Sequence, residues 1–280
     1  MSAFGGATVG EALDSAVIAI AAAGSETPRL DAEVLLAAAL GIDRTALFLD
    51  PGREVKGHAV RSFQDAVRRR SAGREPVAYI TGTRGFRHID LAVDARVLVP
   101  RPETELLVEV ALQLVAAGAR VVDVGTGSGA VALALASERP DLHVVATDIS
   151  ADALAVARAN ADRLGLGGVV FAHGDLLAGV GEADAVLSNP PYVAEAQRAT
   201  LAPEITRHEP PGALFAGDDG LDVIRRLVPA AADAGARLLA IEHGQGQAAA
   251  VAALIGEAGF VDVEARRDLA GIERVVVGRR

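Results

Sequence analysis

The chain has 280 residues, 51% of them hydrophobic, with a formal net charge of −10 and no cysteine, a length that suits one large domain or two ordinary ones. The missing thiols exclude a disulfide framework, a cysteine–zinc site and a thiol nucleophile. No apolar run approaches the roughly 18 residues of a spanning helix, and an acid excess lying almost wholly beyond residue 75, with 3% aromatics, argues against sequence-blind nucleic-acid binding. A cytoplasmic protein that stays out of the membrane is expected.

Residues 1–75 read as helices only. Thr8 and Glu11 have capping-box spacing ahead of an apolar run to Ala23. Thr27-Pro28 supplies a cap and an N1 proline for a second helix, with Leu30, Val34, Ala37 and Ala38 on one face and Gly41 as its stop. A third helix, from about Val55 to Ser71, ends in Arg68-Arg69-Arg70. Such a run is expected to be solvated and to complement the helix dipole; the other reading is a patch that meets an acidic partner.

At Glu75-Pro76 the pattern changes. Val77 to Ile80, then Gly82, Gly85 and Phe86 through Val99, read as short strands and turns. Pro100-Arg101-Pro102 closes this stretch and starts a helix to about Ala117. Beyond it, strands are expected near 120–124, 142–147, 168–172, 183–187 and 237–242, and helices near 129–137, 150–164, 219–234 and 246–257. Alternating strand and helix predict a parallel sheet covered on both faces. Phe260 to Val263 and Arg274 to Val277 have no helix between them and predict a closing hairpin. The expected divisions are 1–75 helical, 76–100 a β-hairpin linker, and 101–280 the α/β domain.

Four motifs fall at expected strand ends. Val121 to Val124 run into Gly125-Thr126-Gly127-Ser128-Gly129, where glycines let the backbone take positive φ and approach a ligand closely. Gly125, Gly127 and Ala130 satisfy a dinucleotide fingerprint as well as the G-x-G-x-G of methyltransferases. Asp148, at the end of the second strand, can accept both hydroxyls of a ribose. Asp175 and Leu176 follow the third strand, where an acid could meet an adenine amino group and an apolar side chain its ring.

The fourth motif, Ser188-Asn189-Pro190-Pro191-Tyr192, is the most selective. Two prolines stiffen the backbone and remove two N–H donors. The Asn189 side-chain oxygen and the Pro190 carbonyl then form two fixed acceptors suited to a planar NH2 group, with the Tyr192 ring against its face.

Together Gly125 to Gly129, Asp148 and Asn189-Pro190-Pro191-Tyr192 resemble S-adenosylmethionine-dependent methyltransferases that act on a planar nitrogen. Pro76 to Gly82, Phe86, Val99 to Glu105, His208-Glu209-Pro210 with Ala213-Leu214, and Glu242-His243-Gly244 narrow this. They resemble the peptide chain release factor N5-glutamine methyltransferases, the HemK or PrmC family, over nearly the whole chain. Leu176 stands where some relatives carry tryptophan.

The resemblance implies a Rossmann-like class I methyltransferase domain, with a mostly parallel seven-stranded sheet and a C-terminal antiparallel hairpin, preceded by a small helical bundle. It implies S-adenosylmethionine as cofactor, S-adenosylhomocysteine as product, and methylation of the glutamine in the Gly-Gly-Gln loop of class-1 release factors. Cofactor contacts are expected from Gly125, Thr126, Gly127, Ser128, Gly129, Asp148, Asp175, Leu176 and Asn189. Substrate contacts are expected from Asn189, Pro190, Pro191, Tyr192, Arg101 and Glu103, with Asn189, Pro190 and Tyr192 at the chemistry. No metal, membrane or direct nucleic-acid partner is expected, and a monomer is. The alternative is a methyltransferase acting on a nucleobase amino group in RNA or DNA; a nicotinamide oxidoreductase would leave the tetrad unexplained.

Overall fold

The computed structural model describes residues 7–280, which divide into two compact units. The helical unit runs to Gly82 and also takes in the distant segment Ala202–His208. Its helices are α1 (Val9–Ala22), α2 (Pro28–Leu40), α3 (Thr45–Leu49), α4 (His58–Ser71) and α5 (Val77–Thr81). Thr8 caps α1 in a full capping box with Glu11, and Gly41 ends α2 at φ +64°. Val9, Leu13, Ile20, Leu35, Leu36, Leu47 and Phe63 form the core of the bundle. Each large aliphatic side chain buried this way contributes about 1.5–3 kcal/mol.

Several local expectations change here. Val77 to Ile80 is a helical turn, because Pro76 presets the backbone at its start and Gly82 closes it at φ +74°. The helix α3 lies in a stretch where no element was expected, and α4 begins at His58 rather than near Val55. The buried face of α2 carries Ala32, Leu35 and Leu36 with the expected Ala37, whereas Leu30 is exposed.

Asp31, on the same helix, belongs to a buried charge network. Arg70 was expected in solvent, yet it is 7% exposed. Its guanidinium donates to Asp31 at 2.7 Å, to Glu204 at 2.8 Å and to Ser25 Oγ at 3.0 Å. Arg74 donates to Glu204 at 2.7 Å, so one carboxylate from Ala202–His208 meets two arginines. Arg69 is paired with Glu75, which leaves Arg68 as the exposed member of the run.

The second unit comprises Thr83–Leu201 and Glu209–Arg280. It opens with an antiparallel hairpin, β1 (Thr83–Phe86) and β2 (Ile89–Ala92). A 3-10 turn at Pro102–Thr104 leads into α6 (Glu105–Leu114), which ends before the expected Ala117 because Val115 turns extended. Then follow β3 (Arg120–Val124), α7 (Ala130–Glu138), β4 (His143–Asp148), α8 (Ala151–Leu164), β5 (Val170–His173) and β6 (Ala185–Ser188). After α9 (Pro203–His208), which belongs to the helical unit, come α10 (Asp222–Asp233), β7 (Leu238–Glu242), α11 (Ala248–Glu257), β8 (Val261–Arg267) and β9 (Glu273–Arg279).

The sheet has seven strands in the order β5-β4-β3-β6-β7-β9-β8, with β9 antiparallel to both β7 and β8. The five strands β3 to β7 are parallel. Val122, Val124, Val186, Leu239 and Ile241 pack with Ile224, Leu227 and Val251 of α10 and α11 on one face. Alternation sends Val121 and Asp123 to the other face, where Asp123 meets Ala132 of α7. Burial on both faces is why these strands read as continuous apolar runs. No helix among the described residues is long and apolar enough to cross a membrane.

Candidate active site at the strand-order reversal

Strand order reverses between β3 and β6, and in an open parallel sheet ligands bind outside the carboxyl ends of the strands at such a point. The register sets the level. Val124 pairs with both Thr147 and Ser188, and Ser188 with Ile241. Gly125, Asp148, Asn189 and Glu242 therefore succeed one row of residues across four adjacent strands.

The glycine loop is pinned by its backbone. Gly125 and Thr126 N–H donate to the Thr147 carbonyl at 2.9 Å each. Gly127 N–H donates to Asp148 Oδ2 at 2.9 Å, and Ser150 N–H to Asp148 Oδ1 at 2.8 Å. Gly125 and Gly127 take φ of +73° and +57°, and a Cβ added at either would meet nothing within 4 Å. Gly129 is different, since a Cβ there would lie 2.8 Å from Leu133 Cδ1. Open backbone at the first two glycines and close packing at the third suit a loop that a ligand covers.

Thr126 and Ser128 are buried. Thr126 Oγ1 donates to Asp123 at 2.6 Å, and Ala132 N–H donates to the same oxygen at 3.1 Å. Burial pushes the Asp123 carboxyl up to about 6, against these two hydrogen bonds. Asp123 was not singled out from sequence, although one acid inside Val121–Val124 was a visible signal. Asn160, wholly buried, was also missed: its Nδ2 donates to the Ser128 and Ala92 carbonyls, tying the hairpin to the loop.

Beside the loop, Ile149 is 69% exposed directly after Asp148, an apolar surface that the sequence reading passed over. Leu176 takes φ +53°, an uncommon conformation for a branched side chain, and its carbonyl accepts from Thr147 Oγ1 at 2.9 Å. Asp175 is ion-paired with Arg226. Both side chains are solvent-accessible, and an exposed pair is worth only about 0–1 kcal/mol, so Asp175 can exchange this partner for another.

The tetrad is held from three sides. Ser188 Oγ donates to the Val124 carbonyl at 2.7 Å. Asn189 Nδ2 donates to Thr104 Oγ1 at 3.0 Å, which turns Oδ1 the other way. Gln247 Nε2 donates to the Tyr192 carbonyl at 3.0 Å. A Cβ at Gly220 would lie 2.2 Å from that carbonyl oxygen, so the loop before α10 requires glycine there. No described residue donates to Asn189 Oδ1 or to the Pro190 carbonyl.

A buried polar floor lies beneath. Glu242 is 1% exposed. Burial pushes its carboxyl up to about 7, and Glu103 adds to this while Thr104, Arg274 and Tyr192 oppose it. The Tyr192 hydroxyl donates to Glu242 Oε1 at a long 3.4 Å, and burial with the Glu242 charge holds the phenol well above its usual range. Burial lowers His243, whose Nδ1 donates to the Gly244 carbonyl at 2.8 Å.

Arg101 reaches both oxygens of Glu209, at 2.6 and 2.7 Å. Glu209 is 4% exposed, and burial raises its pKa against the pull of Arg101. Arg101 thus braces the segment after the tetrad. His208, its neighbour in sequence, folds with the helical unit, where Nε2 meets the Gly73 carbonyl at 2.8 Å.

Residues 11–82 match the PrmC N-terminal domain family, and 102–214 match the methyltransferase small domain family. The chain is 46% identical to the release factor glutamine methyltransferase of Xylella fastidiosa, over 95% of this chain and 98% of that protein. It is 44% identical to the protein of the same name from Deinococcus radiodurans, over 96% and 97%. Among solved structures, the hMettl16 catalytic domain in complex with MAT2A 3′UTR hairpin 6 has a TM-score of 0.57 at 14% identity. That match covers 79% of this chain and 81% of the other. A methyltransferase from Pyrococcus furiosus has a TM-score of 0.52 at 17% identity, covering 68% and 88%. These two likenesses concern the fold alone.

Proposed function

This chain belongs to the release factor glutamine methyltransferase family, and from that premise we propose how its own residues methylate the glutamine side-chain nitrogen (N5) in the Gly-Gly-Gln loop of class-1 release factors. The enzyme is a methyltransferase of release factors. The observation that carries the site assignment is the pair of unoccupied acceptors, Asn189 Oδ1 and the Pro190 carbonyl, at the level of the glycine loop.

An amide nitrogen is a weak nucleophile because its lone pair is delocalised into the carbonyl. Two fixed acceptors bind its two N–H groups, and the Tyr192 ring lies against the amide plane. Orientation of this kind can supply up to roughly 7–11 kcal/mol of the barrier. The acceptors also favour the positive charge that develops on nitrogen as the N–C bond forms. The nitrogen then releases one proton, which water can take. Arg101 and Glu103 border the target loop from the turn before α6.

The residues around the glycine loop fit S-adenosylmethionine, which supplies the methyl group on a sulfonium that is its own leaving group. Gly125 to Gly129 offer open backbone, and Asp148 keeps a lone pair on each oxygen for ribose hydroxyls. Ile149, Leu176 and Asp175 border the adenine, and Asn189 faces the methyl donor. The helical segment 1–75 recognises the large protein substrate, the hairpin within 76–100 links it, and 101–280 carries the chemistry. A chain lacking 1–75 should keep cofactor binding and lose methylation of the intact release factor; equal activity would refute this role. The enzyme acts as a cytoplasmic monomer and needs no nucleic acid.

A nucleobase amino group presents the same planar NH2, so nucleic acids are the proper controls. Incubation with labelled S-adenosylmethionine should label a class-1 release factor and spare its Gln-to-Ala loop variant, duplex DNA and transfer RNA. Label on nucleic acid, or equal label on the variant, would overturn the assignment.

A further inference from the structure

Pro190 and Pro191 fix their own φ angles, but neither restrains the peptide that follows Tyr192, and the aim of the Tyr192 ring depends on the plane of that peptide. Its N–H end is held, since Val193 N–H donates to the Leu214 carbonyl at 2.9 Å. Held at one end alone, a peptide plane can pivot. Its C=O end needs a second partner.

We propose that Gln247 is the positioning residue that aims the Tyr192 ring at the target amide, and that the Gly244 main chain is the wall behind the ring. This deepens the amide-clamp reading above and rests on it. Gln247 Nε2 donates to the Tyr192 carbonyl at 3.0 Å and to the Asp219 carbonyl at 3.1 Å. Gln247 Oε1 accepts from Gly244 N–H at 2.8 Å, and Gln247 N–H donates back to the Gly244 carbonyl at 3.1 Å. The side-chain amide therefore stands in one orientation. Flipped, it would set its oxygen against two carbonyls and its NH2 against an N–H.

One side chain thus ties the tetrad to the loop before α10 and to the turn between β7 and α11. With both ends of the 192–193 peptide held, its plane is fixed and the Tyr192 Cα–Cβ bond keeps its direction. The glycines around the junction follow from it. A Cβ at Gly220 would lie 2.2 Å from the Tyr192 carbonyl oxygen and 2.9 Å from Gln247 Nε2. A Cβ at Gly244 would lie 3.3 Å from Tyr192 Cδ2 and 3.0 Å from Gln247 Oε1. Gly220 also takes φ +79°, whereas Gly244 is not among the positive-φ glycines. Its missing side chain serves room for the ring, and main chain cannot swing aside as a side chain would.

Gln247→Glu keeps the size and the acceptor for Gly244 N–H, and replaces the NH2 by an oxygen that faces two carbonyls. It should lower kcat about 10- to 100-fold while changing the dissociation constant for S-adenosylmethionine less than about twofold. Gly244→Ala, a milder change that presses on the ring edge, should lower kcat about 3- to 10-fold. The chain has two tyrosines, Tyr79 and Tyr192, so the ring NMR signals of Tyr192 are assigned by their absence in Tyr192→Phe. In Gln247→Glu these signals should move while those of Tyr79 stay, a pattern that general loss of the fold would not give. Wild-type kcat in either variant, or unmoved Tyr192 signals in Gln247→Glu, would overturn the proposal. Tyr192→Ala separates the two readings. Turnover that survives it would overturn the amide clamp and this proposal with it, whereas turnover lost there but kept in Gln247→Glu would overturn this proposal alone.

Discussion

Replacing Asn189 with alanine should lower turnover by about 10²- to 10³-fold, while S-adenosylmethionine binds with nearly unchanged affinity. In the proposed clamp the variant removes one of two acceptors for the target amide, and the Pro190 carbonyl, being backbone, stays. Ser188 and Gln247 still hold the segment through Val124 and Tyr192, so the loop keeps its path. The loss should fall on kcat rather than on the cofactor, because the proposed acceptors would act where charge develops on nitrogen. Single-turnover methylation and calorimetric titration of the cofactor separate the two. Turnover within about threefold of wild type would remove Asn189 from the chemistry.

Arg70→Ala should destabilise the helical unit by about 3–5 kcal/mol, because it strands the buried Asp31 carboxylate, and leaves Glu204 to Arg74 alone, rather than deleting a surface contact. Asp31 and Glu204 side chains are 8% and 15% exposed, and both bond to the Arg70 guanidinium. Asp31 also accepts from Ser25 and Thr27 hydroxyls at 2.8 and 3.0 Å, and these neutral donors cannot replace the charge. Denaturant unfolding followed through the helical unit should show the loss, whereas Arg68→Ala, at an exposed pair, should change stability by less than about 1 kcal/mol. Equal small effects for the two variants would return Arg70 to the status of a surface residue.

The contrast between Arg68 and Arg70 shows where sequence reading stops. A basic run at a helix end looks solvated, and nothing local reveals that Glu204, 134 residues away, closes on one member of it. The same limit hid the pairing of Thr104 with Asn189 across 85 residues. By contrast, the parallel sheet was legible because its strands are buried on both faces and so read as unbroken apolar runs. Its order was not, but the motifs at the strand ends survived that ignorance. Glycine loop, Asp148 and tetrad each end a strand, and parallel register alone brings them to one level. Val77 to Ile80 misread as a strand because four residues are too few for periodicity to separate helix from strand. The flanking Pro76 and Gly82 held the better signal. For α2, the apolar positions placed Ala37 correctly but not Leu30 or Ala38, because a buried aspartate, paired with Arg70, occupies part of the buried face.

In the proposed mechanism the fixed acceptors of Asn189 and Pro190 direct a methyl group to one amide nitrogen. Its most direct test is fragment mass spectrometry of a class-1 release factor after treatment with the enzyme and S-adenosylmethionine. The expected result is one methyl group on the side-chain nitrogen of the glutamine in the Gly-Gly-Gln loop. A methyl group on any other residue, or an unmodified loop, would rule this mechanism out.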